Sequence, residues 1–124
     1  MTAPTSFIRP FIAARDYELS KAFYKALGFR VDFESPEVTG FSNDSGSFML
    51  QNYYVEEWAH NTMLTWGVDN LDAWFTNIQQ LDLPGRFGVR PPSAPALQPW
   101  GKVVSHLIDP AGVLWHVSQK PSDE

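Results

Sequence analysis

The chain holds three histidines, His60, His106 and His116, and no cysteine among its 124 residues. Disulfides, thiolate nucleophiles and thiolate metal sites are therefore excluded together. A metal centre would have to be built from imidazoles and carboxylates. A catalytic ion normally takes three protein ligands, so the set would be His60, His106 and His116, or the pair His106 and His116 supplemented by Glu56 or Glu57. His106 and His116 have the same numerical parity on what read as neighbouring antiparallel strands, and adjacent strands could bring them together. Hydrogen-bonding roles toward a ligand or the fold are the competing reading for this pair, and simple surface exposure is a third. No serine sits between glycines at a strand-to-helix elbow, and no glycine loop could cradle a phosphate. Asp69 and Asp72 bracket a helix start, where capping explains them. Nucleophilic catalysis has no machinery here.

Arg9 is a permanent cation on a largely apolar strand beside Pro10, and such a group needs a partner. A structural carboxylate, an anionic or carbonyl-bearing ligand, and an outward edge position all satisfy that need. The strand and loop aromatics Phe48, Trp66, Trp100 and Trp115 differ from the helix aromatics Phe23, Tyr24, Trp74 and Phe75, whose spacing marks them as core. On the last strand His116 alternates with Trp115, so if one faces a groove the other is core.

Nine Lys and Arg against fourteen Asp and Glu give a net charge of −5. Basic groups facing phosphates carry nucleic-acid affinity, and an acidic chain without a basic run argues against nucleic acid and a polybasic membrane anchor. No apolar run approaches a membrane span, and the short polar stretch Met1–Ser6 contains no targeting pattern. A soluble, cytoplasmic protein forming one domain over residues 1–124 is expected.

These residues must be carried by a small set of elements. Phe7–Ala14 reads as a strand interrupted by Pro10. Asp16 caps a helix over Tyr17–Leu27 with Leu19, Phe23 and Leu27, and Ser20 and Tyr24 beside them, on one face, and Gly28 ends it. Phe29–Glu34, Glu37–Phe41 and Ser47–Tyr54 follow as strands, with Asn43–Gly46 as a turn. Tyr53–Trp58 reads as a linker, with its carboxylates either solvated or forming an acidic groove rim. The order then repeats: a strand over Asn61–Val68, a helix capped by Asp69 or Asn70 and running to about Leu81, and Pro84-Gly85 ending it. Strands over Gly101–Ile108 and Val113–Ser118 flank the turn Asp109–Gly112. Displaced by 54 residues, Asp16 meets Asn70 and Tyr24 meets Ile78; displaced by 66, Asn43–Gly46 meets Asp109–Gly112. The extra residues fall in a stretch holding Pro84, Pro91, Pro92, Pro95 and Pro99. Two β-α-β-β-β modules, about 7–55 and 60–119, account for the whole.

The run D-Y-E-L-S-K-A-F-Y-K-A-L-G-F over Asp16–Phe29 resembles the opening signature of the glyoxalase/bleomycin-resistance/extradiol-dioxygenase superfamily. Val68–Trp74 is similar to the start of its second module, and Trp100-Gly101 with D-P-A-G-V-L-W over Asp109–Trp115 is similar to its bleomycin-resistance branch. The resemblance implies an α+β fold, with paired modules forming a partly closed eight-stranded sheet around a groove. It also implies four inward positions, one on the first and one on the last strand of each module. Carried over, these are Arg9, Leu50, Met63 and His116, with Thr62 replacing Met63 if the register slips by one. Only His116 among them suits an oxygen-activating ion.

The leading expectation is therefore non-catalytic binding of a small, planar organic ligand, as in drug or toxin sequestration and antibiotic resistance. The groove would belong to a homodimer and need no cofactor. Its ligand-binding residues would be Arg9, Phe48, Leu50, Met63, Trp100, His106 and His116. The alternative is a glyoxalase-like lyase or isomerase, or a dioxygenase, using a divalent metal ion on displaced ligands. A domain serving only in protein association is the third reading. The chemistry of the groove decides among them.

Overall fold

A computed structural model describes residues 6–121. Residues 1–5 of the polar stretch Met1–Ser6, and residues 122–124, lie outside them. Among the described residues the elements run β1 (Phe11–Ala13), α1 (Tyr17–Ala26), β2 (Arg30–Glu34), β3 (Val38–Asn43), β4 (Gly46–Gln51) and α2 (Glu56–Ala59). The second series is β5 (Met63–Val68), α3 (Leu71–Gln79), α4 (Leu83–Phe87), β6 (Ala96–Leu97), β7 (Val103–Ile108) and β8 (Leu114–Gln119).

Two β-α-β-β-β modules are present, but their strands do not merge into one sheet. Each module forms its own four-stranded sheet, ordered β1-β4-β3-β2 and β5-β8-β7-β6, with the first strand parallel to the last. We refer to these as sheet A and sheet B. Their inner faces meet around α1: the Tyr24 ring lies 4.8 Å from Phe48 of sheet A and 5.9 Å from Trp115 of sheet B, and those two rings stand 5.6 Å apart. This aromatic burial takes one face of each sheet and leaves the other open. The single partly closed sheet expected within the chain is thus replaced by two open ones.

Local chemistry explains the helices. Asp16 accepts the Leu19 N–H at 3.1 Å, and Asn70 accepts the Ala73 N–H at 3.0 Å, so each main helix starts on a side-chain cap. Gly28 ends α1 at φ +99°, a conformation cheap only for glycine. The buried face of α1 is Tyr17, Ser20, Lys21, Phe23 and Tyr24, so Ser20, Phe23 and Tyr24 of the expected face are buried while Leu19 and Leu27 pack half-buried at its edge. Lys21 is tolerated there because Glu18 and Glu34 hold its ammonium at 2.8 and 2.6 Å.

Three elements depart from the sequence reading. Tyr53–Trp58 is not wholly a linker, since Glu56–Ala59 forms a helical turn with both carboxylates at its positive end. Pro84-Gly85 does not end a helix. It sits in the first turn of α4, where a missing N–H costs nothing, and Asp82 accepts from Gly85 N–H at 3.3 Å. Leu83 and Phe87 of α4 are both buried, and the Phe87 ring meets Phe23 edge-on at 5.5 Å. Finally, β6 emerges from the proline-rich stretch as a two-residue edge strand, completing the second module.

The D-P-A-G turn is a buried clasp between modules. Asp109 accepts the Ala111 and Val113 N–H groups at 2.8 and 2.9 Å on one oxygen, and the Tyr24 hydroxyl at 2.5 Å on the other. The Trp115 indole N–H donates to the same Tyr24 oxygen at 3.0 Å. Burial pushes the Asp109 carboxyl above the ordinary carboxylate range, against the pull of these donors, and burial first and Asp109 second push the Tyr24 phenol up.

Candidate functional site

Strand alternation places the open faces. On β8, Leu114, His116 and Ser118 alternate with buried Trp115 and Val117, so His116 points away from the core. The register sets His106 directly opposite His116 and Thr65 beside it on the parallel strand. The two imidazole centroids are 4.9 Å apart with planes at 72°. Trp100, on the loop that Gly101 turns at φ +92°, stands 6.2 Å from His116. Met63, Thr65, Trp100, Lys102, His116 and Lys120 line a cleft of about 610 Å³ on this face. Aromatic walls with a few polar groups suit a small organic molecule.

Sheet A has a second open face. Arg9 donates from Nε to the Ser47 hydroxyl at 3.1 Å, and its guanidinium lies 4.2 Å over the Phe7 ring. Phe11 pairs with Met49, which pairs with Gly40 on the other side. Phe33 lies across Gly40 so closely that a Cβ there would stand 2.5 Å from its ring. Phe7, Ile8, Phe11 and Phe33 are all exposed. An apolar surface this extended marks an interaction site more often than bare solvent contact.

Of the residues expected to form the site, His106, His116, Met63 and Trp100 come together on sheet B. Arg9 lies on the open face of sheet A. Phe48 and Leu50 do not reach either open face: they are 2% and 0% exposed and belong to the core. The cause is a one-residue difference between the module turns. Buried Phe48 and Leu50 correspond to buried Trp115 and Val117, a displacement of 67 rather than 66, so Met49 is the counterpart of His116. Phe48 does edge onto a second cleft of about 370 Å³ at the module junction, which the Trp66 indole crosses to donate to Ser45 at 3.2 Å. Sequence reading missed Met49 and Phe11, and the alternation from Ser47 to Gln51 was the signal that could have found them.

The donor set does not fit the metal that the resemblance implied. Arg9 cannot ligate, Leu50 is a buried alkyl chain, and Met63 is a soft ligand. No group of three His, Asp or Glu side chains among the described residues could share an ion. His60 is elsewhere, packed against Gly112 of the clasp turn and lining another cleft with Arg15 and Phe87. Neither it nor Glu56 or Glu57 completes a set with His106 and His116.

Residues 6–117 match the family described as Glyoxalase/Bleomycin resistance protein/Dioxygenase superfamily. The chain belongs to this superfamily. Within it, the chain lies on the bleomycin-resistance-like branch. A bleomycin resistance protein of Klebsiella pneumoniae is 31% identical over 126 residues, covering 89% of each chain. A crystal structure of a bleomycin-binding protein complexed with bleomycin superposes with a TM-score of 0.80, at 22% identity, covering 94% of this chain and 100% of that one. Lactoylglutathione lyase of Agrobacterium tumefaciens superposes less closely, with a TM-score of 0.67 at 18% identity, covering 94% and 95%. The superfamily fold thus carries binding proteins and enzymes alike, and the site must separate them.

In this superfamily member the electrostatics of sheet B favour a neutral His116. Burial first, and then the neighbouring His106, lower its pKa below the ordinary 6.5. Between that lowered value and 6.5 the unfolded chain binds more protons than the native one, so acidification through this interval costs stability. An NMR titration of the imidazole Cε1 protons is expected to place the His116 midpoint below 6.5. His106→Gln should move it part of the way back.

Proposed function

We propose that the two modules act as one binding domain, and that a homodimer of this chain holds small, planar organic molecules without transforming them. Drug or toxin sequestration, as in antibiotic resistance, is the role that this implies. The observation that carries the reading is the pair of uncovered outer faces, one holding Trp100, Met63 and His116 and the other Phe11, Phe33 and Met49. Sheet A of one copy set against sheet B of a second would enclose two equivalent grooves under two-fold symmetry. The conjugated ligand would stack on Trp100, and His116 and Arg9 would orient its polar groups.

The bleomycin resistance relative at 31% identity supports the same class of role. A lyase or dioxygenase is supported less, because the outer faces do not assemble three ligands for a catalytic ion. Among the described residues no helix is long and apolar enough to cross a membrane. With an acidic, cysteine-free chain, this supports a cytoplasmic role without nucleic-acid partners.

The test is tryptophan fluorescence quenching with planar antibiotics, dyes and glutathione thioesters, on protein whose mass is checked by sedimentation equilibrium. Saturable quenching by a planar compound and a mass twice 14.0 kDa are expected. Trp100→Ala removes the stacking wall, which at a binding hot spot costs about 2 kcal/mol, roughly a thirty-fold rise in Kd. Turnover of a glutathione adduct, with no saturable planar ligand, would overturn the reading.

A further inference from the structure

The cleft on the outer face of sheet B departs in charge from the chain around it. Fourteen acidic residues outnumber nine basic ones over the whole sequence. Yet among the described residues no carboxylate lines this cleft, and Lys102 and Lys120 do. The two lysines come from different elements: Lys102 follows Trp100 and Gly101 on the loop entering β7, and Lys120 follows the last residue of β8. Both are anchored at the backbone, where the Lys102 carbonyl accepts the Gln98 N–H at 2.7 Å and the Lys120 N–H donates to the Val68 carbonyl at 2.8 Å. Ion pairs among the described residues engage Lys21, Arg30 and Lys120, and none engages the Lys102 ammonium. Lys120 donates to Asp69 at 2.8 Å, which occupies one of its three N–H donors. That pair is well exposed on both sides, and such pairs are held weakly.

We propose that this cleft discriminates by charge, taking planar molecules that carry an oxyanion, such as an aromatic carboxylate, over neutral and cationic analogues. Lys102 and Lys120 meet the oxyanion as point charges, and the ring system packs on Trp100. A cationic ligand in the same place faces two ammonium groups and no carboxylate of the lining. The net charge of −5 acts with the opposite sign. At physiological ionic strength, however, charges beyond about 8 Å are largely screened, so the groups lining the cleft decide. In the homodimer proposed above, sheet A of the second copy adds Arg9, held by Ser47, and Asp32, which accepts from the Ser42 hydroxyl at 2.9 Å. One cation and one carboxylate leave the balance set by the lysines. The inference rests on the reading of the groove as a site for planar organic molecules and assigns the class of ligand that it selects.

The experiment compares three probes with one ring system: anthracene-9-carboxylate, 9-anthracenemethanol and 9-(aminomethyl)anthracene. Each is measured by equilibrium dialysis and by tryptophan quenching, at pH 7.4 and physiological ionic strength. The carboxylate is expected to bind about tenfold more tightly than the ammonium analogue, with the alcohol between them, since two exposed lysines each attract one charge and repel the other modestly. Lys102→Gln and Lys120→Gln should each cut that ratio about threefold, and the double variant should abolish it while the alcohol binds as before. Lys25→Gln, on α1 and outside the cleft, is the control and should leave the ratio unchanged. All three lysines are exposed, and circular dichroism verifies that the variants fold. Equal affinity for the three probes, tighter binding of the ammonium, or a ratio that survives the double variant would overturn charge selection and leave planar binding standing. Failure of all three probes to bind would overturn the planar reading and this inference with it.

Discussion

Tyr24→Phe is expected to destabilise the protein by about 2–3 kcal/mol, although it removes a single oxygen atom. That oxygen donates to Asp109 at 2.5 Å and accepts from Trp115 at 3.0 Å, entirely within the core. Its removal leaves a carboxylate oxygen and an indole N–H buried without partners, and it is the unmet desolvation that is costly. The loss falls at the junction of the modules, so both sheets should loosen in one transition. The deficit also depends on pH. Burial has already raised the Asp109 carboxyl, and Tyr24 is the strongest of the groups opposing that shift. In the variant the folded-state pKa rises further, and native protein binds more protons than unfolded protein above the ordinary 3.8. Stability then falls as pH climbs through that window, and the gap from the parent protein widens. Urea denaturation at pH 5 and pH 8, at one fixed protein concentration, measures both effects. An unchanged midpoint at pH 8 would remove the clasp from the account of the fold.

That clasp shows how much the sequence disclosed and where it stopped. Asp16 was legible as a cap, and the second cap was narrowed to Asp69 or Asn70, because a short side chain before an apolar helical period has one obvious use. The repeat was legible for the same reason, since turns and caps recur at nearly constant displacement. Asp109 was legible as a turn residue, but nothing local showed that its second oxygen would meet a tyrosine 85 residues away. The helix α4 was obscured because Pro84 reads as a breaker when it follows a helix and as an initiator when a new one begins. Only the burial of Leu83 and Phe87 separates these meanings. The two-residue β6 carries no periodic signal at all. At the site, parity related His106 to His116, the resemblance supplied Met63 and the proline-rich loop suggested Trp100. The structure puts these four on one side of sheet B because turns and pairing within the second module were counted from residues close to one another. Across modules the count had to pass the clasp turn, which holds one residue more than its counterpart. There parity failed.

That failure is directly testable through two adjacent residues. Phe48 lies among Tyr24, Phe29, Phe41 and Trp115, with ring centroids 4.8–5.6 Å away. Phe48→Ala opens a cavity where four aromatic neighbours cannot collapse, and is expected to cost about 3–5 kcal/mol. That is a large share of the roughly 5–15 kcal/mol by which ordinary domains are stable. Met49 is half-buried on the outer face against Phe11 and Gly40. Met49→Ala should therefore cost about 1 kcal/mol or less in stability. Its effect should appear instead in the groove, as weaker quenching by planar ligands and a smaller dimer fraction at low concentration. Denaturation and titration with planar ligands, run on the two variants side by side, distinguish core from groove. If Phe48→Ala left stability intact and weakened ligand binding, while Met49→Ala unfolded the chain, the strand would face the other way. Leu50 would then return to the groove, and the one-residue difference between the module turns would have to lie elsewhere.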